Sequence, residues 1–183
     1  ISGSEKSVVD DAKTAFVSRL LEFLRTIKTR TTAPIVGICF GAQALATALG
    51  GEVARNPDRR FRLGVETLAW EPDAVRFPEL ASDPNCMVVQ SHGECVSRLP
   101  PGSTLLAQSK TIPHEIFLTD GRFLGVQGHP EIDGQMLQEF FMPLHRPLFD
   151  DDSWQVVVQE ARLPVHRAPL ISLARRLLEQ GRL

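Results

Sequence analysis

The chain is poor in cysteine, with three among 183 residues: Cys39, Cys86 and Cys95. The number is odd, and the spacing fits neither a disulfide framework nor a CxxC zinc pattern. That excludes a disulfide-stapled scaffold and favours a reducing compartment, so a cytoplasmic location is expected. No apolar run approaches the roughly 18 residues that span a bilayer, so no membrane partner is expected. Charge of one sign is also scarce: 20 Lys and Arg stand against 22 Asp and Glu, a net charge of −2. This leaves no general electrostatic case for binding nucleic acid. No secretory leader, transit peptide, internal repeat, low-complexity tract, EF-hand loop or ATP-binding P-loop is visible in these residues. What remains is ordinary globular composition, 43% hydrophobic and 23% charged, in a chain long enough for one unstapled core. The first residue is Ile1 rather than Met. Ile1-Ser2-Gly3-Ser4 reads as a strand end running into a loop, and the natural N-terminus is expected upstream.

Apolar residues recur at helical spacing from Val8 to Ile27, predicting an amphipathic helix over about Val8 to Thr29. Asp10 and Asp11 would lie near its N-terminus and Arg25, Lys28 and Arg30 near its C-terminus, as the helix dipole favours. Pro34 to Cys39 is a short apolar run, the pattern of a strand buried on both faces. Gly41 to Leu49 reads as a small-residue helix stopped by Gly50-Gly51. Further strands are predicted at Leu63–Trp70, Cys86–Gln90, Thr104–Gln108, Glu115–Thr119 and Arg122–Gln127. Asp120-Gly121 marks a two-residue hairpin turn between the last two. Helices follow at Gln135–Phe141 and Pro169–Gln180, with the stretch between them read as a loop containing one short element. Together these predict an α/β fold: a three-layer sandwich around a largely parallel central sheet, with one antiparallel hairpin, in a single domain spanning 1–183.

Gly37-Ile38-Cys39-Phe40-Gly41 has the form G-x-C-x-G, the cysteine version of a nucleophile elbow. A sharp strand-to-helix turn exposes the side chain, and the two glycines let strand and helix approach closely. The helix N-terminus that follows supplies positive potential, which favours a thiolate over a thiol. It also offers the backbone N–H of Phe40 as an oxyanion donor. A nucleophilic cysteine needs a base and a group to orient that base. His129 lies in Gly-Val-Gln-Gly-His129-Pro-Glu131, just past a predicted strand. His129 and Glu131 are two apart in an extended segment, so their side chains point the same way, and Pro130 biases His129 towards that conformation. The carboxylate can take the imidazole N–H and leave the other nitrogen for Cys39.

GICFGAQ followed some ninety residues later by GVQGHPE resembles the signatures of the class I glutamine amidotransferases. Between them, Gln90-Ser91-His92-Gly93-Glu94 with Leu99-Pro100 is similar to the S-H-G-D…L-P segment of the GMP-synthetase-like branch. The resemblance covers about Ile1 to Glu131, which makes 142–183 a C-terminal extension, and family members carry additional strands and a helix ahead of the Gly3 loop. It implies Cys39 as nucleophile, His129 as general base and acid, and Glu131 as the orienting carboxylate. Gly3 and Phe40 would form the oxyanion hole, and Gln43, Ser91 and His92 would meet the glutamyl group. Two positions depart from the pattern. Glu94 replaces the usual Asp and reaches further, and Gly128 stands where many relatives have Phe or another bulky residue, which is expected to open space beside His129.

The resemblance implies hydrolysis of a γ-glutamyl amide through a γ-glutamyl thioester, without metal or organic cofactor. The substrate would be a small γ-glutamyl compound, either glutamine or a γ-glutamyl peptide, as in similar stand-alone γ-glutamyl peptidases. The alternatives are a glutaminase that passes ammonia to a separate synthetase subunit, and a non-catalytic interaction module on the same fold. Of the remaining candidates, Cys86 and Cys95 read as core. His114 beside Glu115 lacks a third metal ligand, and His145 and His166 read as solvated. Asp150-Asp151-Asp152 reads as a solvated loop or helix cap, Arg175-Arg176 as helix-end charge, and Trp70 and Trp154 as packing anchors. Leu170, Leu173, Leu177 and Leu178 are expected to pack the last helix on its own domain.

Overall fold

The computed structural model describes residues 1–183. In chain order the elements are α1 (Ala15–Arg30), β1 (Ile35–Ile38), α2 (Phe40–Leu49), β2 (Glu52–Arg55), β3 (Arg62–Thr67), β4 (Ala69–Trp70), α3 (Pro78–Ala81), β5 (Met87–His92), β6 (Glu94–Arg98), β7 (Ser103–Gln108), β8 (Ile116–Thr119) and β9 (Phe123–Val126). A helical segment follows: α4 (Gly134–Met136), a π-helical stretch over Leu137–Phe141, α5 (Met142–His145) and a 3₁₀ turn over Arg146–Leu148. Pro143 has no N–H to offer the carbonyl of Glu139, which accounts for the irregular ladder at that point. The chain ends with α6 (Asp151–Glu160) and α7 (Ala168–Gln180). No helix is long and apolar enough to cross a membrane.

The central sheet has the order β1-β9-β8-β7-β4. Alternation along β9 builds the layers. Phe123 joins Val17, Leu21, Leu24 and Leu45 under α1 and α2 on one face. Leu124 and Val126 join Leu170, Leu173, Leu177 and Leu80 under α7 and α3 on the other. The α/β class and the three layers are as expected, but parallel pairing is narrower than expected. Only β1 and β9 run parallel; β9–β8, β8–β7 and β7–β4 are antiparallel. For β9–β8 the cause is connection length, since the short turn at Asp120-Gly121 reverses the chain while a parallel pair requires a long crossover. Both turn residues have positive φ, 52° and 68°, as the expected hairpin turn requires. Two separate ribbons, β2–β6 and β3–β5, lie outside this sheet.

The elements differ from the sequence reading in several places: the strand expected over Leu63–Trp70 divides into β3 and β4, and β2 and β6 were not expected. The first helix starts at Ala15, not Val8, because Thr14 caps it by accepting from the Val17 N–H. Residues 8–13 form turns, stitched by the Ser7 N–H to the Asp11 carboxylate and by Thr14 Oγ1 to the Asp11 carbonyl. The stretch read as a loop holds the ten-residue α6. Its N-cap is Asp150, which accepts from the Ser153 N–H at 2.7 Å, with Asp151 and Asp152 in the first turn. On α7, Leu170, Leu173 and Leu177 are buried in the domain while Leu178 is 57% exposed. Arg176 is not free end-charge, because its Nε lies 2.7 Å from Glu79 on α3.

Candidate active site

β1 delivers Cys39 to the turn before α2. Cys39 has φ 51° and ψ −109°, a strained conformation for a residue with a Cβ, of the kind that costs about 1–3 kcal/mol and clusters at functional sites. The flanking glycines are needed for close approach. A Cβ on Gly37 would lie 2.5 Å from the Gly41 carbonyl oxygen, and one on Gly41 would lie 2.3 Å from the Ile1 carbonyl oxygen. Ile1 lies along the free edge of β1: its amino group donates to the Val36 carbonyl at 2.7 Å, and the Ile38 N–H donates to the Ile1 carbonyl at 2.8 Å. That is the hydrogen-bond pattern of a parallel strand, so the expected strand end running into a loop is present. The Ser2–Gly3 loop then turns in over the site. Gly3 packs so near His129 that a Cβ would meet its Cε1 at 2.9 Å and the Cys39 Cβ at 3.9 Å.

The end of β9 brings His129 to the same place. Its N–H donates to the Val89 carbonyl at 2.8 Å, which ties the segment to β5. His129 Nδ1 lies 2.9 Å from Glu131 Oε1, and the Ser2 hydroxyl donates to that same oxygen at 3.2 Å. The side chains of Cys39, His129 and Glu131 thus converge, with His129 between the other two. Burial by itself pushes the His129 imidazolium down, but hydrogen bonds to Cys39 and Glu131, with their charges, outweigh it and raise the pKa to about 10. Glu131 is held below its usual range: its hydrogen bond to His129 and the imidazolium charge prevail over desolvation, the largest single influence, which acts the other way. The other two cysteines are core, as expected: Cys86 is fully buried and Cys95 2% exposed. Burial, with nearby carboxylates, pushes their thiols up to about 12 and about 11.

The remaining expected site residues all line one cavity of about 850 Å³ with these three. Phe40 is the first residue of α2, so its N–H has no acceptor within the helix. Gln43 is 4% exposed, and its amide donates to the Glu94 carbonyl at 2.8 Å, fastening α2 to β6. The Ser91 carbonyl lies 3.8 Å from Cys39 Sγ. His92 borders the cavity, but both of its ring nitrogens are engaged internally, Nδ1 with Asn56 Oδ1 at 3.1 Å and Nε2 with Gln90 Oε1 at 2.9 Å. Burial depresses its pKa to about 3, so the ring is neutral. Glu94 is also held, by the Ser7 hydroxyl at 2.8 Å and Arg55 at 3.2 Å.

Gly128 does not open space beside His129. A Cβ there would meet Val88 Cγ2 at 2.7 Å and Gln90 Nε2 at 3.1 Å, so those side chains already fill the volume. Gln90 passes from His92 to the buried Glu115, to whose carboxylate it donates at 2.8 Å. Sequence reading also missed Asn56, Gln127 and the wall formed by Phe61, Phe141 and His145. Gln127 Nε2 lies 4.0 Å from Cys39 Sγ. A polar Gln90 within the apolar run of β5 was the one available signal. His145, read as solvated, stacks on Phe61 with ring centroids 4.8 Å apart.

A strained cysteine between a parallel strand and a helix, facing a histidine paired to a carboxylate, is the arrangement that nucleophilic chemistry at sulfur requires. The profile of the glutamine amidotransferase class-I family matches residues 10–142, and the chain belongs to that family. It is 39% identical over 119 residues to the glutamine-hydrolysing GMP synthase of Leifsonia xyli subsp. xyli, covering 62% of this chain and 23% of that protein. It is 29% identical over 149 residues to the glutamine amidotransferase-like protein chry6 of Gibberella zeae, covering 81% of this chain and 59% of that protein. The chain therefore spans less than two thirds of either relative. A glutamine amidotransferase structure from Thermotoga maritima superposes with a TM-score of 0.72 at 22% identity, over 98% of this chain and 75% of that one, a likeness of fold.

Proposed function

We propose that this protein hydrolyses a γ-glutamyl amide bond through a Cys39 thioester. The observation that carries the reading is the convergence of Cys39, held at positive φ, with His129 and Glu131 in one cavity. The Cys39 sulfur attacks the γ-carbonyl carbon and a C–S bond forms. The oxyanion is met by the N–H groups of Phe40 and Gly3, each typically worth about 3–4 kcal/mol. The C–N bond breaks as His129 gives its proton to the leaving amine. His129 then takes a proton from water, hydroxide displaces the sulfur, and glutamate departs. Glu131 holds the imidazole in register throughout. Ser91 and the backbone around His92 border the glutamyl end, while Gln43 positions α2 against β6. The mechanism uses no metal or organic cofactor. We take 1–183 as one domain, with 142–183 as its C-terminal extension.

A second reading is a glutaminase that delivers ammonia to a separate synthetase subunit. The similarity to a glutamine-hydrolysing GMP synthase favours it. The test incubates the full-length protein and its Cys39→Ala variant with glutamine and with glutathione, and quantifies glutamate, ammonia and released peptide. Peptide release that depends on Cys39 supports the γ-glutamyl peptidase. Ammonia from glutamine alone, raised by a cell extract, supports the synthetase-coupled reading. Absence of any Cys39-dependent turnover, with no glutamyl thioester trapped by acid quench, refutes both.

A further inference from the structure

The cavity that holds Cys39 and His129 has two unlike sides. Its volume, about 850 Å³, is that of a pocket enclosing a drug-sized ligand, well beyond what the small polar glutamine side chain occupies. Apart from Glu131, which is paired to His129, the charged residues on its border, among them Glu94, Arg55 and Asp10, come from the 2–11 loop and the β2 and β6 strands. The opposite wall comes from the segment before β3 and from 134–148, and no charged side chain from those segments borders the cavity.

That wall is a run of rings starting at His129 itself. Phe141 lies 6.1 Å from the His129 ring, His145 stacks 6.1 Å from Phe141, and Phe61 stacks 4.8 Å from His145. His145 Nδ1 donates to the Phe141 carbonyl at 2.8 Å, which fixes the ring in the stack. Met136, Leu144 and Leu148, all bordering the cavity, are 39%, 65% and 59% exposed. Apolar surface left open in this way marks a binding groove. In the reaction proposed above, His129 protonates the leaving nitrogen, so whatever that nitrogen carries lies against this wall.

We infer that the wall is a leaving-group subsite, and that the substrate is a γ-glutamyl amide of an uncharged aromatic amine. The inference rests on the proposed hydrolysis at Cys39. Ammonia would leave the wall unused, and a peptide carboxylate would meet no lysine or arginine on it.

The experiment compares γ-glutamyl benzylamide with γ-glutamyl methylamide, which share the reacting bond and differ by the ring. In the wild-type protein kcat/KM should favour the benzylamide by on the order of tenfold or more, the selectivity apolar pockets reach. His145→Ala and Leu144→Asp should each bring the ratio towards one; Leu144 is exposed, so its variant keeps the fold. The Cys39→Ala variant, titrated with both amides by calorimetry, should bind the benzylamide more tightly by a similar factor. A ratio near one with Cys39-dependent turnover of both amides overturns the inference and leaves the hydrolase standing. No turnover of either amide or of glutamine refutes the hydrolase instead. In that case the calorimetric preference decides the subsite: tighter benzylamide binding, lost in the combined Leu144→Asp variant, upholds it, and equal binding overturns it.

Discussion

Replacing Glu131 by Gln removes one charge and almost no volume. The amide oxygen can still accept from His129 Nδ1 across the 2.9 Å contact, so the imidazole keeps its orientation. What is lost is the charge assistance, and hydrogen bonds to charged groups contribute about 1.5–3 kcal/mol. The Glu131 side chain is 37% exposed, so solvent screening reduces this to about 1–1.5 kcal/mol. That corresponds to about one pKa unit on His129. The alkaline limb of the kcat/KM profile, set by loss of the His129 proton near pH 10, should therefore move down by about one unit. At neutral pH His129 keeps its resting proton, and kcat should fall by up to about tenfold because deacylation re-forms the imidazolium with about 1–1.5 kcal/mol less stabilisation. Stability gives an independent readout. His129 is raised from 6.5 to about 10, so its contribution is complete below pH 6.5 and is lost as pH rises through about 10. Glu131 is lowered from 4.5, so its contribution is present above that value and is lost as pH falls through its folded-state pKa. Urea unfolding should show a wild-type advantage of about 1 kcal/mol between roughly pH 5 and pH 8, vanishing at both extremes. An unmoved alkaline limb, together with a stability difference independent of pH, would refute the ion-pair reasoning.

Gly41→Ala drives a Cβ to 2.3 Å from the Ile1 carbonyl oxygen, and backbone cannot swing aside as a side chain can. Overpacking of this kind costs about 1–3 kcal/mol, or roughly 2–12 °C in Tm for a chain of this size, readable by differential scanning calorimetry. An unchanged Tm would mean that the N-terminal residues do not lie along β1. Gly128→Ala should destabilise by about 1–2 kcal/mol through Val88 and Gln90, and Gln90→Ala in the same chain should recover part of the loss. Strict additivity in that double-mutant cycle would show that Gln90 does not occupy the space. Iodoacetamide should label the native protein once, at Cys39, and the urea-unfolded protein three times, counted by intact mass; rapid native labelling of Cys86 or Cys95 would contradict their burial.

The sequence by itself determined what depends on neighbours along the chain. The elbow at Cys39 was legible because an apolar strand, a sharp turn between two glycines and a small-residue helix are contiguous. The His129–Glu131 contact followed from a two-residue extended spacing around a proline, and the β8–β9 hairpin from Asp120-Gly121. A helix cap at Asp150-Asp151-Asp152 was one of two readings the sequence allowed, beside a solvated loop, and the length of α6 was not legible. Its helix depends on burying Val157 and Ala161 with Leu63 and Val65 of β3, about ninety residues away. The start of α1 was hidden in a similar way: Val8 has helical spacing but is buried from a turn, in the separate cluster formed by α1 and α2.

Only the tertiary structure decided the rest. Gly128 reads as a gap in sequence, and the fold fills it with Gln90 from β5. His92 reads as a cavity residue, and the fold turns both its nitrogens inward to Asn56 and Gln90. His145 reads as solvated, and the fold stacks it between Phe61 and Phe141. In each case one deciding partner, Gln90 for Gly128, Asn56 for His92 and Phe61 for His145, is more than thirty residues away. Local sequence fixes backbone direction and which residues share a face, because those depend on dihedral preference and spacing alone. Which side chains fill a given volume depends on close packing among distant elements, and that is settled only when the core closes.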